Sequence, residues 1–211
     1  MKKYIVLLIG LILCLSVVSA QYQKATEEQQ KEIVGKIKQA SGDVNTMKCD
    51  FTQVRELTLM DEVITSEGKM YYKKANKIRW EYIKPYQYAL SMDGKNTNMS
   101  SHDKTTTMPV GQRKMFDEVF KVMLISINGM GLADSPDFDA ALFIGSDDYK
   151  VILTPKKKEM KAFFSSIQLF ASKRDSRIST VELVQKDGDK IIISLKNIQL
   201  NTTINDAIFS Q

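Results

Sequence analysis

Between residues 47 and 197 the chain breaks into short runs in which apolar and polar side chains alternate, parted by turn signals about every ten residues. Met47, Cys49 and Phe51 alternate with Lys48, Asp50 and Thr52, and Ile78, Trp80 and Tyr82 alternate with Arg79, Glu81 and Ile83. Pro85 breaks the second run. Tyr86, Tyr88, Leu90 and Met92 then share one face up to a hairpin turn at Asp93-Gly94. Residues 68–72 and 162–171 are strand-like, and Tyr149, Val151 and Leu153 run into Thr154-Pro155. The cleanest hairpin joins residues 178–185 to 190–197 through Asp187-Gly188. A period of two sends alternate side chains to opposite faces of a sheet. Tight turns join antiparallel neighbours, whereas parallel ones need a long crossover. The pattern therefore predicts an α+β chain built on an antiparallel meander.

Two helices interrupt the strands. Thr26 with Gln29 three residues on is a capping-box pattern, and Ile33, Ile37, Ala40 and Val44 then mark one helical face. Gly42-Asp43 and Asn45 end it. In the middle of the chain Met115, Phe116, Val119, Phe120, Met123, Leu124 and Ile127 form a wide apolar stripe, stopped by Asn128-Gly129 and Gly131. Asp134-Ser135-Pro136-Asp137 reads as a loop, and Lys156-Lys157-Lys158 as a solvated turn.

The first twenty residues predict an export signal rather than part of the fold. Lys2 and Lys3 precede an apolar run, and Val18-Ser19-Ala20 supplies small residues for cleavage. Cleavage after Ala20 leaves residues 21–211 as a single domain of 191 residues (211 minus 20) and lowers the formal charge from +5 to +3. That charge is too mild to point to nucleic acid. Of the two cysteines Cys14 leaves with the signal, so the mature chain has no internal disulfide, and Cys49 reads as a buried apolar residue.

Catalytic and metal patterns are missing from the sequence. The only histidine, His102, sits in a polar Ser-Ser-His-Asp-Lys-Thr stretch and offers no base to Cys49. One Cys and one His cannot make a zinc site, and Asp134, Asp137 and Asp139 lack the spacing and closing Glu of a calcium loop. The expectation is no enzyme, no cofactor and no metal. What remains is an apolar strand face rich in aromatics and methionine: Met70, Tyr72, Ile78, Trp80, Tyr82, Tyr88, Leu90 and Met92. Alternation leaves two readings of it open, a packed core or a cavity covered by the helices. Met115 and Met123 on the middle helix, with Met108 and Met130 beside it, suit a cover that must repack around a flexible guest.

Several short motifs occur in a telling order. They are Phe51-Thr52-Gln53, Glu67-Gly68-Lys69-Met70-Tyr71, Asn76-Lys77-Ile78-Arg79-Trp80 with Pro85 following, Asp93-Gly94, and Leu153-Thr154-Pro155-Lys156. Together they resemble the periplasmic outer-membrane lipoprotein carriers, the LolA-like family. The resemblance implies an incomplete antiparallel β-barrel, a strongly curved sheet with helices covering a hydrophobic cavity. It implies a monomeric periplasmic carrier, chaperone-like, that binds the acyl chains of lipoproteins, takes them from an inner-membrane release complex and delivers them to an outer-membrane acceptor. The alternative on the same fold is a lipid-sensing regulatory or binding module. The acyl-chain cavity is then expected from Phe51, Met70, Tyr72, Ile78, Trp80, Tyr82, Tyr88, Leu90, Met92, Met115, Val119 and Met123. One departure bears on the cover. Where the family carries Arg-Pro, with the arginine fastening the lid to backbone carbonyls, this chain reads Lys74-Ala75. The resemblance transfers the latch role to Lys74, although an ammonium cannot reproduce a planar five-donor fork.

Overall fold

Twelve strands make one antiparallel sheet in a computed structural model that describes residues 22–93, 97–101, 104–107, 110–129, 131–132 and 135–210. The expected leader, Gly94, His102, Met108, Met130 and Asp134 lie outside those residues. In chain order the elements are β1 (Gln23–Lys24), α1 (Glu27–Gly42), β2 (Thr46–Leu57), β3 (Glu62–Lys73), β4 (Lys77–Lys84), β5 (Tyr88–Asp93), β6 (Thr97–Ser101), β7 (Lys104–Thr107), α2 (Val110–Asn128), β8 (Phe138–Ile144), β9 (Asp148–Pro155), α3 (Lys158–Phe163), β10 (Phe164–Ser172), β11 (Ile178–Gln185), β12 (Lys190–Leu200) and a closing 3₁₀ turn, Asp206–Phe209. Along the sheet the order is β1-β8-β9-β10-β11-β12-β2-β3-β4-β5-β6-β7. Strands adjacent in sequence are mostly adjacent in space, as the meander requires. The two exceptions are β12 beside β2 and β1 beside β8. The sheet is strongly curved and open, with β1 and β7 at its ends.

The core fills the concave side. Interior positions alternate along the strands, as with Met47, Cys49 and Phe51 on β2, and Met70 and Tyr72 on β3. α1 lays Ile33, Val34 and Ile37 on this core and starts with the full capping box, Gln29 N–H donating to Thr26 Oγ1 and Thr26 N–H to Gln29 Oε1. The convex side carries a smaller cover. Phe209 and Ile204 are buried there on the tail, Arg79 donates to the Ile208 carbonyl, and Lys73 and Lys77 both bond Asp206.

Four sequence expectations shift. The strand anticipated over residues 162–171 begins only at Phe164, because residues 158–163 form α3, which buries Met160. Lys158 therefore opens a helix instead of sitting in a turn. Tyr86 leaves its expected face: β5 starts at Tyr88, and Tyr86 projects from the β4–β5 turn at 76% exposure. The short element after the acidic loop, left uncertain by the pattern, is the strand β8. β2 and β3 extend past the region of clean alternation, because residues 53–56 and 62–66 form a ladder with little burial to pattern it.

Candidate functional site

Register builds the site's wall. β2–β5 set Phe51 opposite Gly68, Gly68 opposite Tyr82, Met70 opposite Trp80, Trp80 opposite Leu90, Tyr72 opposite Ile78, Ile78 opposite Met92 and Tyr82 opposite Tyr88. Phe51 and Trp80 lie with centroids 4.1 Å apart, Phe51 meets Tyr82 edge-on at 5.2 Å, and Tyr82 stacks on Tyr88 at 4.4 Å. Gly68 makes the row feasible. A Cβ there would press on the Glu81 carbonyl and come within 2.5 Å of the Phe51 ring, so the ring occupies the space a side chain would take. The Tyr82 hydroxyl donates to Gln53 Oε1 at 2.9 Å. Burial, and then the neighbouring Tyr88, push the Tyr82 phenol far above its ordinary range.

α2 closes this wall. Phe116, Val119, Phe120 and Met123 point at Gln53, Trp80, Tyr82, Leu90 and Ile193, leaving a residual cavity of about 30 Å³ between helix and sheet. That is room for about one water. The helix fills the interior as a plug. The expected wall residues Phe51, Met70, Tyr72, Ile78, Trp80, Tyr82 and Leu90 are buried in the core, with Tyr88 and Met92 packed on its edge. From α2, Met123 is buried and Val119 packs on the core, but Met115 lies half-buried outside it. Phe116 and Phe120 take the inward positions instead. Their spacing was visible in the apolar stripe; weighting methionine for flexibility obscured it. Ile193 had no such signal, because it reaches the site through the pairing Ile193–Gln53 across β12 and β2.

Polar tethers between α2 and its surroundings are few among the described residues. The Tyr72 hydroxyl donates to Asn128 Oδ1 at 3.0 Å, at the C-terminal end of α2. Near the other end Thr97 Oγ1 donates to Asp117 Oδ1 at 2.9 Å. Gly129 sits at φ 62° as the helix's left-handed terminator, its N–H donating to Ile125 O, and it lies so near α1 that a Cβ would be 3.2 Å from the Ile37 carbonyl. Lys74 is exposed in the β3–β4 turn. Its N–H donates to Asn45 O, and its ammonium makes no hydrogen bond or ion pair among the described residues. Ala75 beside it stands at φ 77°. Proline is locked near −65°, so the family's Arg-Pro pair cannot occupy this turn as it is folded here.

Nothing in the interior is set up for nucleophilic chemistry. Burial, aided by the Asp50 charge, pushes the Cys49 thiol up to about 12. No group of three His, Cys, Asp or Glu side chains that could hold a metal occurs among the described residues. A roomier groove of about 570 Å³ lies among α2, α3 and the end of β5, and it mixes Met92, Leu124 and Phe163 with Lys114, Asp117, Glu118, Lys121 and Glu159.

Comparison with known proteins agrees with this geometry. The family described as "Outer membrane lipoprotein carrier protein LolA" matches residues 42–211. A protein of Albidiferax ferrireducens named "Outer-membrane lipoprotein carrier protein" is 21% identical over 172 residues, covering 76% of this chain and 78% of its own length. One of the same name from Chromohalobacter salexigens is 23% identical over 145 residues, 69% of this chain and 66% of its own. Among solved structures, an uncharacterized conserved protein from Thermus thermophilus shares the fold with a TM-score of 0.50 at 10% identity, covering 86% of this chain and 93% of that one.

Proposed function

The chain belongs to the outer-membrane lipoprotein carrier family LolA, and on that premise we propose that it carries the acyl chains of lipoproteins through the periplasm and delivers them to the outer membrane. Export by residues 1–20 would place it there. The observation that carries the reading is the plug: the aromatic wall of β2–β5 is covered by the apolar face of α2, with only a small residual space between them. A core needs no detachable filler, whereas a carrier needs an interior that stays dry when empty and can be vacated.

Magnitudes favour displacement. Fully burying a large apolar side chain is worth about 1.5–3 kcal/mol; Phe120 and Met123 are buried and Phe116 and Val119 partly so, and the four hold α2 with at most about 12 kcal/mol before other terms. Each buried acyl methylene returns about 0.8 kcal/mol, so about 15 methylenes or fewer offset the plug. An acyl chain of lipoprotein length is of that size. Cargo and plug then compete for one surface at nearly equal free energy, and hand-over needs only a small bias. Phe51, Met70, Tyr72, Ile78, Trp80, Tyr82, Tyr88, Leu90 and Met92 would form the acyl-chain wall. Tyr72 and Asn128 would act as the latch, in the place the family gives to an arginine.

Trp80 supplies the test, being the only tryptophan in the chain. A triacylated lipopeptide with brominated chains should quench Trp80 fluorescence in the mature protein, residues 21–211. Leu90→Glu should abolish quenching while the far-ultraviolet circular dichroism stays native. A lipopeptide that binds without quenching Trp80, or fails to bind, would sink the reading.

A further inference from the structure

Every large apolar side chain that is exposed among the described residues lies toward one end of the sheet: Leu59, Met60, Val63 and Ile64 on the β2–β3 hairpin, and Ile83 and Tyr86 at the β4–β5 turn. Leu59 is 89% exposed and Met60 66%. The hairpin runs past β4 on one side, while on the other β12 accompanies it as far as the Lys190–Glu56 pair. The last β3–β4 pair is Glu67 with Lys84, so residues 62–66 run on without β4, roughly 17 Å at strand rise. Exposed apolar groups gathered this way mark a contact with something apolar.

We propose that the Leu59–Met60 tip dips into the interfacial layer of a lipid bilayer and docks the protein on the membrane surface. Three observations select a bilayer over a protein partner. Leu59 and Met60 are two side chains on a hairpin turn, too few to supply the buried core that a stable protein interface needs. The base of the tip is anchored, and part of its backbone is bonded before it meets an apolar setting: Thr58 N–H donates to Asp189 Oδ1, Thr58 Oγ1 to the Gly188 carbonyl, and Met60 N–H to the Leu57 carbonyl. Asp61 and Glu62 follow directly, so the attraction is apolar and not a pull of basic residues on anionic lipid. The unpaired edge of residues 62–66 limits immersion to the tip, since bare strand groups cannot enter hydrocarbon. No described helix is long and apolar enough to cross a membrane, which keeps the contact peripheral.

The tip's placement suits the interior. Gln53, Tyr82 and Phe116 line the same end of the plugged cavity, whereas Tyr72 and Asn128 fasten the other. Docking would thus turn the mouth of the interior toward the bilayer, with Tyr86 as a second footing at headgroup level. This inference goes beyond the carrier reading, and its test reads a different signal.

The mature protein is mixed with phosphatidylcholine–phosphatidylethanolamine vesicles and floated on a density gradient. Wild type should float with the vesicles equally at low and high salt. The double variant Leu59→Ser/Met60→Ser should lose at least tenfold in partitioning, with its thermal midpoint and lipopeptide quenching of Trp80 unchanged. Leu59→Phe should float as wild type does. The proposal is overturned if wild type stays at the bottom, if flotation needs anionic lipid and vanishes in salt, or if the double variant instead abolishes a dimer seen by sedimentation. A loss of Trp80 quenching with flotation intact would count against the carrier reading alone.

Discussion

Ala75 carries the clearest local strain in the candidate latch region, since a non-glycine residue at φ 77° crowds its Cβ against its own carbonyl. Ala75→Gly should therefore stabilise the protein by up to about 1 kcal/mol, read as a higher urea midpoint, while Ala75→Pro should destabilise it because the ring cannot reach that angle. The residue proposed to latch α2 is Tyr72, and its hydroxyl bond to Asn128 is worth about 0.5–1.5 kcal/mol net. Tyr72→Phe should raise the opening of α2 roughly 2- to 12-fold by that figure. Maleimide labelling of Cys49, which is buried on the interior face and is the sole cysteine of residues 21–211, measures this opening. Unchanged labelling would remove the latch role. Neither feature was legible beforehand. The Lys74-Ala75 substitution directed attention to the right turn, but a backbone angle and a bond across 56 positions leave no mark on a sequence.

Elements were more legible where burial imposes a period. α1 has its capping box and face as read, and the β11–β12 hairpin ends where Asp187-Gly188 indicated. α3 was hidden inside a charge run, because a single helical turn with one buried residue, Met160, has no repeat to display. The β2–β5 wall depends on an element-level fit, the Phe51 ring lying across Gly68. Gly68→Ala forces that ring or the Glu81 carbonyl to move. It should cost about 1–3 kcal/mol as overpacking, together with a shift in Trp80 emission as the 4.1 Å Phe51–Trp80 contact is disturbed. On the facing side, Phe120→Asp would bury an unpaired charge against the wall, at a cost of several kcal/mol. The helix should then undock before the sheet unfolds, with Cys49 labelling rising at least about a hundredfold while strand signal in circular dichroism persists.

At the scale of the whole molecule, the sheet is joined by two non-local pairings, β12 with β2 and β1 with β8, which no hairpin signal announces. They bring Ile193 to the site and fold the sheet around an interior that holds several groups stable only when protonated. Cys49 ionises near 9.0 when exposed and at about 12 in the fold, with desolvation the main cause. Tyr82 and Tyr88 are pushed upward in the same direction by burial, and outside the core cluster Tyr22 rises to about 12 through desolvation and then its bond to Asp148. Each raised acid keeps its proton in the fold after the unfolded chain has lost it. The stability these groups contribute is complete below the unfolded value and drains away as pH climbs toward the folded one. For the thiol that window opens at 9.0 and closes at about 12. The urea midpoint should hold up to about pH 8 and then fall progressively, with the well-buried Cys49 and Tyr82 each adding up to about 1.4 kcal/mol per pH unit to the slope and the more exposed Tyr88 and Tyr22 adding little. Cys49→Ala removes one titrating group, so its midpoint should start lower at neutral pH and decline less steeply. Parallel curves for the variant and the wild type would mean that the thiol is not sequestered. The same solvent exclusion that silences Cys49 would serve the apolar guest proposed for the interior.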